Sequence, residues 1–198
     1  MVQVREPSWD EDGVRDLILR VRQAISESGQ EAVRVLVNRR PALAAELRLD
    51  GVHVGGGRPS DVVLARSRVP SGSLVGYSAH SIPEIIEASR FGADYVTYSP
   101  IFGAISKDHP LPAVGVDGLR EACRISPVPV LALGGVTPDR AAEVRRAGAA
   151  GAAMIGAILD AADPGEATAR FLEAWEQAGP PGSTGGAPGR DGPLALQD

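Results

Sequence analysis

Ser78 and His80 stand two residues apart at the end of an apolar run, Leu74-Val75-Gly76-Tyr77. Residues i and i+2 of a strand point to the same face, so a hydroxyl and an imidazole are presented together. An imidazole donates, accepts or carries a proton near neutral pH, which makes His80 the candidate catalytic acid or base. Gly134 and Gly135 close a second apolar run, and Gly156, preceded by Ile155, closes a third. Glycine at a strand end lets backbone N–H groups approach an anion closely; it serves equally in a tight turn that needs positive φ. Ser106 and Lys107 lie in the longest interval between apolar runs, residues 99–115. Long intervals of this kind often form lids over a site, and a hydroxyl beside an ammonium suits a phosphate or pyrophosphate. Lys107 is the single Lys among 20 basic residues. Its compact ammonium is not interchangeable with a guanidinium. His53 is expected to fill the interior, and His109 carries no assignment.

These residues need a scaffold that gathers them. Short Val/Leu/Ile/Ala segments at 2–5, 33–37, 51–54, 74–77, 94–98, 128–133 and 151–155 read as strands. Polar turns and amphipathic helices separate them, which implies a parallel sheet with right-handed crossovers. Val14, Leu17, Ile18, Val21 and Ile25 follow helical spacing and form one buried stripe. Ser81-Ile82-Pro83-Glu84 sets out an N-cap, an N1 proline and a capping-box Glu. Thr137-Pro138 and Asp163-Pro164 open later helices in the same way, and Gly148 is a C′ stop. Phe171 and Trp175 are expected to dock on the wall of the domain.

Polar or glycine residues follow nearly every strand: Asn38, Gly55-Gly56-Gly57, Ser78 to His80, Ser99-Pro100, Gly134-Gly135 and Gly156. In a closed barrel all strand C-termini meet at one mouth, with phosphate after strands seven and eight. An open sheet would concentrate them at one switch point. The fold class expected is therefore α/β, a (β/α)8 TIM barrel. Residues 1–178 form the domain. Residues 179–198, with six Gly and four Pro, are expected to be a disordered tail.

Composition narrows the function classes. The 198 residues are 43% apolar and 23% charged, with a net charge of −5. That excludes a wholly disordered chain and argues against a nucleic-acid surface. No apolar run approaches the ~20 residues of a membrane span. The start, Met1-Val2-Gln3-Val4-Arg5, lacks the basic and apolar regions of a secretory leader. Cys123 is alone, so neither a disulfide framework nor a zinc cage is expected, and the cytoplasm is the expected location.

A set of segments in chain order then points to a family. Gln3-Val4-Arg5-Glu6, Asn38-Arg39, Asp50-Gly51-Val52-His53-Val54-Gly55, Gly76-Tyr77-Ser78-Ala79-His80-Ser81, Ala93-Asp94-Tyr95-Val96, Ser99-Pro100-Ile101-Phe102, Ser106-Lys107 and Leu133-Gly134-Gly135 resemble thiamine phosphate synthase and its TenI relatives. The resemblance implies a TIM barrel. It implies a phosphorylated thiamine precursor as ligand, held by Gln3, Arg5, Asn38, Ser78, Ser106, Lys107, Gly134, Gly135, Ile155 and Gly156. It also makes a homo-oligomer an expectation. Synthases of the family join a pyrimidine pyrophosphate to a thiazole phosphate with Mg²⁺. TenI members include thiazole tautomerases.

The chain departs from the synthase pattern where the metal should be held. Arg39 stands where one metal Asp is implied, and Gly56-Gly57-Arg58 covers the second. A Mg²⁺–pyrophosphate site takes about one or two protein carboxylates, so no metal or other cofactor is expected except under the synthase alternative. Ala104 replaces a loop Thr, Pro7 a Lys, and Pro100 the His of some tautomerases. The family barrel also has a strand and helix before the Gln3 strand. Seven strands are therefore expected here, in an N-terminally short barrel, with a start upstream of Met1 as the favoured explanation. The leading reading is a TenI-like enzyme that binds a phosphorylated thiazole, with His80 moving a proton; the alternatives are a Mg²⁺-dependent synthase and a non-catalytic phosphate-ligand or regulatory protein.

Overall fold

The computed structural model describes residues 1–103 and 112–179. Seven parallel strands form one sheet in sequence order: β1 (Val2–Val4), β2 (Val35–Asn38), β3 (Gly51–Val54), β4 (Leu74–Ala79), β5 (Tyr95–Tyr98), β6 (Val130–Leu133) and β7 (Gly151–Ala153). The crossovers carry α1 (Glu11–Glu27), α2 (Pro41–Glu46), α3 (Asp61–Arg68), α4 (Ile82–Arg90), α5 (Gly115–Ile125) and α6 (Ala141–Arg146). After β7 come α7 (Gly156–Leu159) and α8 (Pro164–Gln177). The sheet is a curled, TIM-barrel-like half-barrel, with β1 and β7 as its edges among the described residues. All seven expected strands are present. No helix among the described residues is long and apolar enough to cross a membrane.

Register separates the two faces of the sheet. Val4, Val37, Val52 and Val75 form one cross-strand row, and Val54, Tyr77, Val96 and Val130 another. Both rows are buried, together with Val14, Ile18, Leu43, Val62, Ile85 and Leu119 from the helices. Each such side chain contributes roughly 1.5–3 kcal/mol on burial. The alternate residues face the concave side. There Asn38, His53, Gly76 and Tyr95 form one row, and Ser78, Thr97, Leu131 and Gly151 the next. At the edges this side is open: Gln3 and Arg5 are exposed around buried Val4, and Leu131 and Leu133 are half-buried between buried Val130 and Ala132.

Local signals work mostly as expected. The α1 stripe is buried at Val14 and Ile18, with Leu17, Val21 and Ile25 packed on the core. Asp10, Ser81 and Asp163 cap α1, α4 and α8 by accepting from the amides of Gly13, Glu84 and Glu166. Each cap is worth about 1 kcal/mol. Gly148 has φ +100° just past α6, and Phe171 is buried and stacked on Trp175. Two expectations need correction. The Thr137 hydroxyl makes no capping bond, because Pro138 opens a 3₁₀ turn there. Strand seven stops at Ala153 rather than reaching 155; Ile155 takes φ −122°, ψ −83° as the cap of α7 and is 57% exposed.

Candidate active site at the strand C-termini

The concave face turns polar toward the C-terminal ends of β3, β4 and β5. His53 is only 2% exposed. Its Nδ1 lies 3.0 Å from the Tyr95 hydroxyl and its Nε2 2.8 Å from Ser78 Oγ. Thr97 Oγ1 donates to Ser78 Oγ at 3.4 Å. Gly76 makes this chain of contacts sterically possible. It lies between His53 and Tyr95 in the register, and a Cβ there would fall 2.5 Å from His53 Nδ1 and closer still to Tyr95 Cζ and Oη. Burial, reinforced by the Arg5 charge, lowers the His53 pKa to about 4, so the ring is neutral at physiological pH. Burial also raises Tyr95, with help from the Asp94 charge.

His80 follows Ala79, the last residue of β4, and is half-buried. Its Nδ1 is 2.8 Å from the Ser99 carbonyl oxygen. A carbonyl only accepts, so Nδ1 carries hydrogen and a neutral ring keeps a lone pair on Nε2. The His80 amide donates to Glu84 Oε2 at 2.9 Å, which also fixes the start of α4. An oriented imidazole whose Nε2 has no protein partner among the described residues is the arrangement a general base requires.

The two glycine turns occupy different settings. Gly134 and Gly135 have φ of +92° and +66°. A Cβ on Gly134 would lie 2.8 Å from Pro100 Cα, and one on Gly135 would lie 2.9 Å from Phe102 Cβ. These glycines therefore serve chain packing as well as any ligand. The Gly134 carbonyl accepts from Phe102, and the Gly135 carbonyl accepts from Arg140. The Gly135 amide has no acceptor among the described residues, which leaves an N–H at the rim. Gly156 begins α7, where first-turn amides lack intrahelical acceptors.

Among the other expected site residues, Asn38 is buried on the concave side, and Gly55 leaves room for its Oδ1. Arg5 and Gln3 face the same side at the exposed β1 edge. Ser106 and Lys107 lie outside the described residues, as do Ala104 and His109. His53 lies in the interior as expected, but its contacts with Tyr95 and Ser78, and that of Thr97 with Ser78, need the cross-strand register to be seen. The usable signal was the period-two series 76/78/80 facing 95/97/99, with a glycine opposite two polar rings.

Arg39 and Gly56-Gly57-Arg58, not carboxylates, stand at the two implied metal positions. Arg39 has φ +59°, and its Nε donates to the Gly55 carbonyl, which lays a guanidinium over the glycine turn where a metal carboxylate is implied. The described residues contain no group of three His, Cys, Asp or Glu able to hold a metal ion.

Comparison with known proteins agrees with this architecture. The family model for "Thiamine monophosphate synthase" matches residues 1–158. The chain belongs to the thiamine monophosphate synthase family. It is 36% identical to the thiamine-phosphate synthase of Salinibacter ruber over 82% of this chain and 71% of that protein. It is 41% identical to the protein of that name from Anaeromyxobacter dehalogenans over 83% of this chain and 78% of that one. Among solved structures, thiamine phosphate pyrophosphorylase from Pyrococcus furiosus superposes with a TM-score of 0.76 at 27% identity, over 89% of this chain and 82% of that one. In barrels generally the C-terminal face of the sheet carries the site, which is where the polar residues above gather.

Proposed function

We propose that this chain is a transferase of the thiamine-phosphate synthase type, joining a phosphorylated thiazole to a pyrimidine pyrophosphate at the strand C-terminal mouth. The observation that carries the reading is the 36–41% identity to relatives bearing that name. The names favour the transferase over the TenI-like tautomerase reading. Ser78 faces the ligands from the floor of the mouth. The amides around Gly135 and Gly156 hold phosphate, with Ser106 and Lys107, which follow β5 in the sequence, as further phosphate ligands. Arg5 and Arg39 bring positive charge to the pyrophosphate side, and the chain works without Mg²⁺. It acts in the cytoplasm.

A second reading rests on a specific observation. The guanidinium of Arg39 at the expected metal position, with a free His80 Nε2, suits proton transfer on a single phosphorylated thiazole. Calorimetry decides between the two. The transferase reading requires binding of both the thiazole phosphate and the pyrimidine pyrophosphate. Binding of the thiazole phosphate alone, with or without Mg²⁺, replaces it by proton transfer; binding of neither removes both.

A further inference from the structure

Ser78 sits at the end of a hydrogen-bonded chain whose direction can be argued from its buried end. Tyr95 is 7% exposed, and its hydroxyl has one partner among the described residues, His53 Nδ1 at 3.0 Å. A buried hydroxyl hydrogen left without an acceptor is costly. The Tyr95 O–H therefore donates to Nδ1. That nitrogen then presents its lone pair, and the neutral imidazole carries its hydrogen on Nε2. Nε2–H points at Ser78 Oγ, 2.8 Å away. Thr97 Oγ1 donates to the same oxygen at 3.4 Å. Ser78 Oγ thus receives two hydrogens, and its own has no acceptor among these neighbours. Neutrality of the ring is supported by its burial and by the nearby Arg5 charge, both of which disfavour the imidazolium.

We infer that Tyr95 and His53 are positioning residues that fix the Ser78 hydroxyl as a hydrogen-bond donor toward the mouth, selecting a ligand that offers a lone-pair acceptor there. Without the Tyr95 hydroxyl the imidazole is free to place its hydrogen on Nδ1. Nε2 would then accept from Ser78 and draw the serine hydrogen away from the ligand. Thr97 adds a second donor that favours the same orientation. Gly76 belongs to the device as well, since its missing Cβ is the space in which the two rings meet. The inference rests on the proposed ligand site at the mouth, but the direction of the chain is a property of the free protein.

The experiment combines nitrogen NMR of the full chain, labelled at histidine, with calorimetry of the thiazole phosphate and, separately, the pyrimidine pyrophosphate. The free protein should show His53 with hydrogen on Nε2 and none on Nδ1. Tyr95→Phe, which keeps the ring, should populate the other tautomer. Ser78→Ala should weaken the ligand that offers the acceptor by about 3- to 10-fold, the range of one neutral hydrogen bond. Tyr95→Phe should weaken that same ligand by a smaller factor, and by none in the Ser78→Ala background. Coupling of this kind separates positioning from a general loss of structure. Hydrogen on Nδ1 in the parent overturns the inference. Equal weakening by Tyr95→Phe with and without Ser78 also overturns it, as does undiminished binding of both ligands by Ser78→Ala. If neither precursor binds the parent protein, the proposed function fails, while the tautomer still decides the direction of the chain.

Discussion

Replacing Gly76 by Ala should destabilise this protein although the same change in an ordinary strand interior stabilises by about 0.5–1 kcal/mol. The new methyl would stand 2.5 Å from His53 Nδ1 and closer still to Tyr95 Cζ and Oη. Both neighbouring residues are buried, at 2% and 7% exposure, so neither ring has room to retreat. Overpacking of a tight interior costs roughly 1–3 kcal/mol. Parting the rings also leaves a buried hydroxyl and a ring nitrogen unpaired, at roughly another 1–3 kcal/mol. After the backbone gain is offset, the net loss should be about 1–5 kcal/mol. Urea unfolding followed by circular dichroism reads it directly. With a slope of about 2 kcal/mol/M, the midpoint should fall by roughly 0.5–2.5 M. An unchanged or higher midpoint would refute the steric argument and the packing of the two rings on which it depends.

Acid should expose the cost of burying His53. Its native pKa of about 4 lies below the ordinary 6.5, so the unfolded chain binds a proton that the native chain refuses. Stability should fall as pH drops from 6.5 toward 4, by at most about 3 kcal/mol from this residue. Subtracting the curve of His53→Gln isolates the component, and parallel curves would contradict it. Affinity for the pyrimidine pyrophosphate should be unchanged by EDTA, and Arg39→Ala should weaken it; calorimetry showing binding only with added Mg²⁺ would reverse the assignment of Arg39. Deleting residues 180–198 should change stability by only a few tenths of a kcal/mol, since their composition offers little apolar surface to bury. A large fall in melting temperature on truncation would show that this segment docks on the domain.

The fold was legible because each strand has its own apolar run and each crossover its own punctuation. Ser81 with Glu84, Asp163 and Gly148 fix helix ends through local contacts, which a single sequence displays. The site was legible only in part. Ser78 and His80 were visible as a same-face pair, but the partners of Ser78 come from β3 and β5. His53 and Tyr95 meet only through cross-strand register over Gly76, a relation between residues 42 positions apart. The failure at Thr137 has a local cause: Pro138 begins a 3₁₀ turn before α6, and the hydroxyl finds no amide to cap. In the sequence Arg39 shows only as a positive charge at an implied metal position. Its left-handed backbone and bond to the Gly55 carbonyl depend on the packing of the β2 and β3 ends.

The most direct test of the proposed activity is product analysis after mixing the full chain with the thiazole phosphate and the pyrimidine pyrophosphate in the presence of EDTA. The account predicts thiamine phosphate and inorganic pyrophosphate released in equal amounts, over many turnovers per chain. Products formed with Mg²⁺ but not with EDTA would contradict the metal-free assignment, and binding of both precursors with no product under either condition would contradict the transferase assignment.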